Sequence, residues 1–558
     1  MSTSGHWFGP PERPLLGWLT APHSEPSATG VLILPPVGYA YWSSHRTLRV
    51  LAERLAADGH LTLRIDYDGT GDSAGEQSDG GRLEAWRASA AAAGAELREL
   101  GCERLVIVGV RLGATIALLD GAELAADAVV AWAPVVAGRR YVKELRLLGA
   151  EVPPGVSTLP PGALVASGCV YLPQTLADLG ALSVGDVKAA PASHVLLLAA
   201  EETALVERLA ELGCAVQQRG LDGSESALER PSEYATVPQE VVSGIAGWIA
   251  TAASADPSTR AAPAPGTNFE RTTAHLIQAG VELREAVITL GAQRFVGVQT
   301  EPAAGAGEDA TTLVLLNTGS EPHIGPGRAW VEYSRQLAAD GYRCVRVDFR
   351  GWGESPDDGH APGRPYDAHC IDDAREIVRA LRAQADGPIV LLGLCASSWV
   401  ALRLALSEPL DGVIALNPQL YWQPGDPVEA TMAETRLRRT ATREREARGG
   451  RSGLWSALDA LGLRSWAGHW LDALQASGVP VALVFAEGDD GIEFLRNRLA
   501  RRLAHAQRNG SIRIVEIPEI DHAMGRVWLR ERVVEVVREQ LADAEAGLAP
   551  PAALTTSG

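Results

Sequence analysis

The segment Ile389-Val-Leu-Leu-Gly-Leu-Cys395-Ala-Ser-Ser-Trp-Val-Ala-Leu-Arg-Leu-Ala-Leu406 carries the clearest structural signal in the chain. An apolar run typical of a strand ends at Gly393, and a run with apolar residues at helical spacing follows Cys395. The segment therefore predicts a strand, a sharp turn and a helix. The residue at the apex of such a turn is exposed, and the N-terminus of the helix favours negative charge there. Cys395 is thus a candidate nucleophile; the alternative is a small buried hydrophobic residue, as free cysteines usually are.

Length, charge and cysteine spacing exclude several classes of protein. For 558 residues, a prior of about 150 residues per domain predicts two to four domains. The net charge of -19 argues against a general binder of nucleic acid or anionic membranes, and no apolar run approaches the roughly 18 to 20 residues of a membrane span. The six cysteines lack metal-ligand spacing, and the N-terminus lacks a basic and then apolar signal. We therefore expect a cytoplasmic protein that needs no cofactor.

The same order of sequence patterns occurs twice along the chain. The repeated segments are Leu55-Ala-Ala-Asp-Gly59 with Leu337-Ala-Ala-Asp-Gly341 and Asp66-Tyr-Asp-Gly-Thr-Gly-Asp-Ser73 with Asp348-Phe-Arg-Gly-Trp-Gly-Glu-Ser355, both offset by 282 residues, and Gly109 with Gly393, offset by 284. Strand-like and helix-like patterns alternate around these segments, which predicts parallel sheets covered on both faces by helices. The chain is therefore interpreted as a tandem of two similar domains.

The repeat sets the predicted domain boundaries. Two α/β domains are expected at about 1–252 and 271–545, joined by an Ala-, Ser-, Pro- and Thr-rich linker at 253–270 and followed by a flexible tail at 546–558. An insert at about 420–477 interrupts the second pattern and is expected to cap the site as a lid. Seven arginines lie between positions 436 and 451 of this insert. They are expected either to form the solvated face of a helix or to bind a phosphate-bearing or acidic partner.

The pattern around Cys395 resembles the nucleophile elbow of the α/β-hydrolase fold. In most members of that family the elbow has the sequence Gly-x-Ser-x-Gly. Cys395 stands where the serine usually is, and Ser397 replaces the second glycine, which slightly crowds the turn. The resemblance implies two tandem α/β-hydrolase domains, each with a mostly parallel sheet and helices on both faces.

The resemblance also implies an acid and a histidine that follow the nucleophile in that order. The acid should lie after a late strand, where Phe485-Ala-Glu-Gly-Asp-Asp490 fits. Asp490, two residues after the glycine, matches the family spacing best, and Asp489 is the alternative. His522 follows the last strand-like run and is the candidate base. A Cys395–His522–Asp490 triad is therefore predicted.

The implied oxyanion site consists of backbone N–H groups. One comes from Ala396, and another comes from the Asn317-Thr-Gly-Ser320 turn, at Gly319 or Ser320. Each such donor contributes on the order of 3 kcal/mol to transition-state binding. The turn that begins at Asp348 occurs in both halves and is interpreted as structural, outside the site.

The first half lacks the equivalents of this triad. Arg111 stands at the apex of its elbow and cannot attack a carbonyl group. Glu201-Glu202 occupies the acid position, and no histidine occurs between His194 and His275. We therefore expect a catalytically inactive domain that serves as a scaffold, a dimerisation surface or a partner-binding module. Arg111 is expected to form an ion pair with a neighbouring carboxylate or to bind an anion.

A thiol nucleophile forms a thioester acyl-enzyme, which water attacks less readily than an amine or a thiol does. With a cysteine at the elbow, the second half resembles the dienelactone hydrolases, the polyhydroxyalkanoate synthases and the bile-acid–amino-acid acyltransferases. The resemblance implies an acyltransferase or thioesterase of bacterial biosynthetic metabolism that acts on an acyl thioester or ester, with coenzyme A or an acidic carrier protein as a candidate partner. The alternatives are an ester or lactone hydrolase and a non-catalytic binding protein. A homodimer is a further possible partner state.

Overall fold

The computed structural model describes residues 2–23, 27–153, 155, 159–200, 202–220, 222–254, 271–357, 365–420, 466–508, 510 and 512–548. Three of the predicted features lie wholly or largely outside these ranges. They are the linker from residue 255 on, residues 421–465 of the insert with its seven arginines, and the tail from residue 549 on.

The chain divides into two compact units. The first comprises Met1–Val287 with Gly327–Val331, and the second comprises Ile288–Pro326 with Glu332–Gly558. The boundaries at 252 and 271 stay predictions that come from the sequence repeat.

A mostly parallel sheet forms the centre of the first unit. The strands are β1 (Ser2–Phe8), β2 (Leu15–Ala21), β3 (Thr29–Leu34), β4 (Leu61–Ile65), β5 (Arg104–Val110), β6 (Ala128–Trp132), β7 (Gly149–Glu151), β8 (Leu164–Ala166), β9 (Cys169–Tyr171), β10 (His194–Leu198) and β11 (Ala215–Arg219). Eight of them pair in the order β1-β2-β4-β3-β5-β6-β10-β11. β1 and β2 are antiparallel to their neighbours, and the other pairs are parallel. β7, β8 and β9 form a small antiparallel sheet.

A second, nine-stranded sheet contains the later strands. They are β12 (Thr273–Gln278), β13 (Val281–Leu290), β14 (Phe295–Pro302), β15 (Thr312–Leu315), β16 (Arg343–Val347), β17 (Ile389–Leu394), β18 (Gly412–Leu416), β19 (Val481–Ala486) and β20 (Ile512–Ile517). The order is β12-β13-β14-β16-β15-β17-β18-β19-β20. From β16 to β20 all pairs are parallel. Leaving β12 aside, the remaining eight strands have the same order in the chain and in the sheet as the eight strands of the first sheet.

Helices connect the parallel strands, as the alternating sequence pattern predicts. They are α1 (Tyr39–Ala57), α2 (Arg82–Glu99), α3 (Leu112–Asp120), α4 (Gly138–Leu148), α5 (Pro173–Ala181), α6 (Thr203–Glu211), α7 (Glu225–Leu228), α8 (Gln239–Ser254), α9 (Ala329–Ala339), α10 (Ala368–Arg382), α11 (Ala396–Leu404), α12 (Trp466–Ser477), α13 (Asp490–Arg508) and α14 (Arg530–Leu548). Short 3-10 helices cover Val184–Asp186, Ser232–Tyr234, Pro326–Arg328 and Val527–Leu529. Within the described ranges, none of the helices has the length and apolarity needed to cross a bilayer.

Both faces of the first sheet are covered by packed apolar side chains. In β3, Leu32 and Leu34 belong to one hydrophobic cluster, whereas Val31 and Ile33 belong to another. Because successive side chains of a strand point to opposite faces, the two clusters lie on the two faces of the sheet. β17 of the second sheet is also buried along its whole length. The predicted α/β class with helices on both faces is confirmed.

The end of the predicted insert belongs to the layers that cover the second sheet. Trp470, Leu471 and Leu474 of α12 are buried in the same hydrophobic cluster as Leu391 of β17. A segment whose apolar face packs into the core in this way is not a separate lid. The predicted insert at about 420–477 thus ends in a helix of the covering layer, and the lid itself stays a prediction.

The repeated Asp-x-x-Gly-x-Gly-x-Ser turn has the same hydrogen bonds in both units. In the second unit, the Ser355 hydroxyl donates to the Asp348 carbonyl oxygen over 2.7 Å and accepts from the Val296 N–H over 2.9 Å. In the first unit, Ser73 donates to the Asp66 carbonyl oxygen at 2.7 Å. The serine thus joins the turn to the neighbouring antiparallel strand, which is a structural role.

The turn between β17 and α11 brings two stretches of backbone into direct contact. A Cβ atom on Gly393 would lie 2.5 Å from both the carbonyl carbon of Ser397 and the nitrogen of Ser398. Cys395, between them, takes φ 58° and ψ -108°, a region that side-chain-bearing residues rarely occupy. The close approach explains why this position of the motif needs a glycine.

We expect Gly393→Ala to lower the free energy of unfolding of the second unit by about 1–3 kcal/mol or more, because the backbone at Ser397 must move away from the new methyl group. Urea titration with mass-spectrometric detection of alkylation at Cys344 and Cys370, which are fully buried in this unit, measures the change. Gly412→Ala in β18 is the control, since its Cβ meets only side-chain atoms, those of Val390 from 3.3 Å and of Ala544 at 3.7 Å. Equal urea midpoints for both variants contradict the explanation.

Candidate active site

The predicted site segments begin at one edge of the second sheet. Parallel strands end side by side there: Leu315 of β15 pairs with Leu392 of β17, and Leu394 of β17 pairs with Leu416 of β18. On the other side of β18, Ala486 of β19 pairs with Ile517 of β20. The segments that follow β15, β17, β19 and β20 carry the predicted oxyanion turn, nucleophile, acid and histidine. The carboxyl edge of a parallel sheet is the usual place for a site in this class of fold.

Cys395 occupies the apex of the turn. Its backbone N–H donates to the Leu416 carbonyl oxygen at 2.9 Å, which fixes the strained residue against β18. Its side chain is half-buried, whereas the five other cysteines are buried. Strained backbone of this kind is concentrated at functional sites. Of the six cysteines, Cys395 is thus the one whose side chain is not fully buried.

Ser397 fits the turn without displacing the backbone. Its hydroxyl accepts from the Leu394 N–H at 2.9 Å and donates to the Leu394 carbonyl oxygen at 3.1 Å. The hydroxyl of Ser398 lies 2.7 and 2.8 Å from the Gly393 and Leu416 carbonyl oxygens, which share its one proton. The two serines therefore add hydrogen bonds to the turn in which Ser397 replaces the usual glycine.

The carboxylate beside His522 belongs to Asp489. Asp489 Oδ2 lies 2.6 Å from His522 Nδ1, and its Oδ1 accepts from the Gly491 N–H at 2.8 Å. Asp489 precedes α13 and caps its first turn, whereas Asp490 is the first residue of that helix. The preferred sequence assignment, Asp490, is therefore corrected to the alternative, Asp489. The start of α13 determines which of the two carboxylates turns toward the histidine.

Asp489 and Cys395 both change the proton affinity of His522. Burial lowers the pKa of His522, but the hydrogen bond to Asp489 and the interaction with the Cys395 side chain raise it more, and the pKa lies at about 10. A histidine with this environment takes up a proton readily when a neighbouring thiol gives one up. The arrangement is able to support a thiolate–imidazolium pair.

Asn417 joins two of the site segments and was not identified from the sequence. It follows β18, is fully buried and has φ 46°. Its Nδ2 donates to the His522 carbonyl oxygen at 2.8 Å, and its Oδ1 accepts from the Ala486 N–H at 2.7 Å. The sequence does contain a signal: Asn417-Pro418 corresponds, at the offset of 284, to Ala133-Pro134, so the asparagine is specific to the second half.

The predicted oxyanion turn is anchored by Asp348. Asn317 Nδ2 and the His323 N–H donate to Asp348 Oδ1 at 2.8 and 2.7 Å, and His323 Nδ1 lies 2.6 Å from Asp348 Oδ2. Asp348 and His323 are both buried. These contacts fix both ends of the segment that contains Gly319 and Ser320, and they give Asp348 the structural role that the repeat suggested.

The two predicted sources of oxyanion donors have suitable backbone groups. Ala396 is the first residue of α11, so no helical carbonyl oxygen is available to its N–H. Gly319 has φ 56° in a half-buried turn. Beside it, Thr318 Oγ1 and Ser320 Oγ are buried without a hydrogen-bond partner among the described residues. The role of these groups as donors to an anionic oxygen stays a prediction.

Tyr366 and Gln419 also contact the predicted triad, and sequence reasoning missed both. Tyr366 Oη lies 3.4 Å from Cys395 Sγ and donates to Gln419 Oε1 at 3.2 Å. Gln419 Nε2 lies 3.5 Å from His522 Nε2. Tyr366 lies outside every segment of the motif, which explains why no local signal pointed to it. Gln419 is two residues after Asn417, at the point where the repeat pattern stops.

The equivalent turn of the first unit carries an arginine. Arg111 has φ 52° and ψ -116°, close to the values of Cys395. Its Nη2 donates to Glu144 Oε2 at 2.8 Å, and its guanidinium lies over the Tyr141 ring. The expected ion pair with a neighbouring carboxylate is thus present. Glu201 of the predicted acid position lies outside the described residues.

Comparisons with known proteins agree with the class of fold. Residues 313–539 match the sequence model of the alpha/beta hydrolase family. This match covers less than half of the chain but includes every candidate site segment of the second unit. No curated protein sequence matches the chain.

Several solved structures are similar to part of the chain. Est1E from Butyrivibrio proteoclasticus with ferulic acid bound is 18% identical, with a TM-score of 0.34, over 43% of this chain and 96% of that chain. A predicted CIB-like hydrolase from Thermoplasma acidophilum is 14% identical, with a TM-score of 0.31, over 47% of this chain and 100% of that chain. The thioesterase domain from the curacin biosynthetic pathway is 17% identical, with a TM-score of 0.29, over 48% of this chain and 98% of that domain.

We expect Asp489→Asn to lower the pKa of His522 from about 10 by about one to three pH units. The substitution removes the negative charge that raises this pKa, while the burial that lowers it remains. NMR titration of isotope-labelled histidines measures the change, with the His522 signal assigned by its loss in His522→Gln. Asp490→Asn is the matched control, because it makes the same chemical change one residue later. An equal fall of the His522 pKa in both variants contradicts the assignment of Asp489, and so does an unchanged pKa in both.

Proposed function

We propose that the second unit is a cysteine-dependent acyl-transfer enzyme that works through a thioester on Cys395. One observation carries the proposal: the single half-exposed cysteine of six lies at a strained strand-to-helix apex and interacts with a histidine that a carboxylate orients. A nucleophile, a base and an orienting acid in this relation form the general unit of nucleophilic catalysis.

In the first half-reaction, Cys395 acquires the acyl group. His522 Nε2 takes the proton from Sγ, and the thiolate attacks the carbonyl carbon of the donor. Asp489 at Nδ1 selects the tautomer whose lone pair is on Nε2 and then stabilises the imidazolium. The N–H groups of Ala396 and of the Gly319 turn bind the oxyanion. His522 gives its proton to the leaving group as the bond to that group breaks.

In the second half-reaction, an acceptor removes the acyl group. His522, again neutral, takes a proton from the O–H, N–H or S–H group of the acceptor as it attacks the thioester carbon. The Cys395 thiolate leaves and recovers a proton from His522. Thioesters react with amines and thiols more readily than with water, which favours transfer over hydrolysis. The donor class is an activated acyl group, that is, a thioester or an ester.

The first unit is interpreted as a catalytically inactive duplicate of the second. The common strand order and the equivalent turns at Arg111 and Cys395 support a duplication. Arginine offers no nucleophile, and Ala133 at the position of Asn417 offers no side-chain hydrogen bond to a later loop. A scaffold or a partner-binding module is the function that remains for this unit.

We expect Cys395→Ala and His522→Ala each to lower acyl turnover by roughly 10⁴-fold or more. Intact-protein mass spectrometry after incubation with a panel of acyl thioesters and esters, followed by peptide mapping, detects the acyl group on Cys395. Cys370→Ala removes a thiol that is fully buried in the same unit, and Arg111→Ala changes only the other turn, so both should leave the chemical step unchanged. Turnover that survives in Cys395→Ala overturns the proposal.

We expect acylated Cys395 to persist long enough to be detected and to be discharged faster by an added amine, alcohol or thiol than by buffer. The measurement is the partition of acyl product between free acid and acceptor adduct as the acceptor concentration rises. An adduct fraction that grows with one class of acceptor identifies the transfer reaction. Free acid as the dominant product with every class identifies an ester hydrolase or thioesterase instead.

A further inference from the structure

Tyr366 and Gln419 connect the nucleophile to the base by a second route, separate from the direct Cys395–His522 interaction. The route runs from Cys395 Sγ to Tyr366 Oη over 3.4 Å, from Oη to Gln419 Oε1 over 3.2 Å, and from Gln419 Nε2 to His522 Nε2 over 3.5 Å. The last contact is at the outer limit of hydrogen-bond distances. Both side chains therefore contact atoms that gain or lose the transferred proton.

The ring of Tyr366 is fixed by packing. Tyr366 is 4% exposed, and its ring meets the fully buried Trp399 edge-on, with centroids 5.6 Å apart and planes at 80°. Such a ring keeps its place while its O–H bond rotates. The one proton of the hydroxyl thus has both Gln419 Oε1 and Cys395 Sγ among the acceptors within its reach.

These hydrogen bonds suit the state in which the proton is still on Cys395; the pKa of about 10 for His522 belongs to a site in which Cys395, beside Asp489, adds a second negative charge. While Cys395 is a thiol, the Tyr366 O–H donates to Gln419 Oε1. With Nδ1–H directed at Asp489, the neutral His522 presents a lone pair at Nε2, which suits the Gln419 N–H group that faces it. Both ends of the Gln419 amide therefore stabilise the neutral thiol and imidazole.

Transfer of the proton from Cys395 to His522 changes which hydrogen bonds Gln419 and Tyr366 favour. When the Sγ proton moves to His522 Nε2, the new N–H bond meets the Gln419 amide N–H as long as the amide keeps its present orientation. The thiolate meanwhile becomes a strong acceptor for the Tyr366 O–H, and hydrogen bonds to charged atoms are about twice as strong as neutral ones. Tyr366 keeps its own proton throughout, and only the direction of its O–H bond changes.

We propose that Tyr366 is a further catalytic group, which stabilises the Cys395 thiolate by donating a hydrogen bond. Gln419 has the opposite effect, because it stabilises the Cys395 thiol and the neutral His522 imidazole. The inference rests on the proposed function only in taking Cys395 as the nucleophile. The two side chains together set how much thiolate the free enzyme contains.

The ionisable groups around this cluster come from several elements. His522 and Asp489 follow β20 and β19, and the His323–Asp348 pair anchors the turn after β15. Arg403, further along α11, has its guanidinium 5.1 Å from the centre of the Trp399 ring. Neither Tyr366→Phe nor Gln419→Met adds or removes a charge on any of these groups, so a change in thiolate population reports the two hydrogen bonds.

The test is the rate at which iodoacetamide alkylates Cys395 between pH 5 and pH 10, followed by peptide mapping. Below the plateau, Tyr366→Phe should react about tenfold more slowly than the unaltered protein, with its profile displaced to higher pH. Gln419→Met should react several-fold faster, with its profile displaced to lower pH. Tyr342→Phe, which removes a hydroxyl beyond the opposite end of the second sheet, is the matched control and should not change the profile.

Opposite displacements support the inference, because general loosening of the site would move both profiles in the same direction. Displacements of the same sign, or none in Tyr366→Phe, overturn it. Alkylation needs no acyl donor, so its result is independent of whether Cys395 accepts an acyl group. Opposite displacements without any acylation show that Tyr366 stabilises the thiolate but refute the proposed function, and with it a catalytic role for Tyr366. Acylation with unmoved profiles supports the proposed function and overturns the inference.

Discussion

The candidate site depends on the backbone contact between Gly393 and the start of α11. Because the end of β17 touches the backbone of Ser397 and Ser398, the chain must reverse within the residues between them, and Cys395 takes a positive φ. Such a conformation costs of order 1–3 kcal/mol for a residue with a side chain. The hydrogen bonds to Leu416 and the two serine hydroxyls offset that cost. The Cys395 side chain therefore lies at the edge of the sheet, next to the first N–H groups of α11.

Chemistry at that point also requires that loops from different strands keep their places. Asn417 supplies this constraint, since its amide joins the start of the acid loop at Ala486 to the histidine loop at His522. Asp489 adds a second link by capping α13 while it contacts the imidazole. Asn417 bonds to backbone groups with both ends of its amide, whereas Asp489 bonds to backbone with one oxygen and to the imidazole with the other. His522 is consequently positioned by contacts with two other loops rather than by its own loop alone.

The sequence was informative wherever a function depends on local pattern. The turn at Cys395, the alternation of strands and helices, and the structural turn at Asp348 all follow from short motifs or from their repetition. The same motifs give the predicted order of nucleophile, acid and histidine. The choice between Asp489 and Asp490 failed because it depends on the residue at which α13 begins, and helix boundaries are uncertain by one or two residues. Asn417 and Tyr366 escaped notice because they act through contacts made only after the sheet assembles.

The two units separate the requirements of the fold from those of the chemistry. Arg111 and Cys395 share the positive φ, the close glycine before them and the hydrogen bond to the neighbouring strand, so the strained apex is retained where no nucleophile stands. The Arg111–Glu144 ion pair is partly exposed, and pairs of that kind contribute about 0–1 kcal/mol. The side chain at this apex is therefore nearly free to vary as far as stability is concerned. A thiol at the equivalent position of the second unit, together with Asn417, Asp489 and His522, is accordingly better explained by a requirement of chemistry than by a requirement of folding.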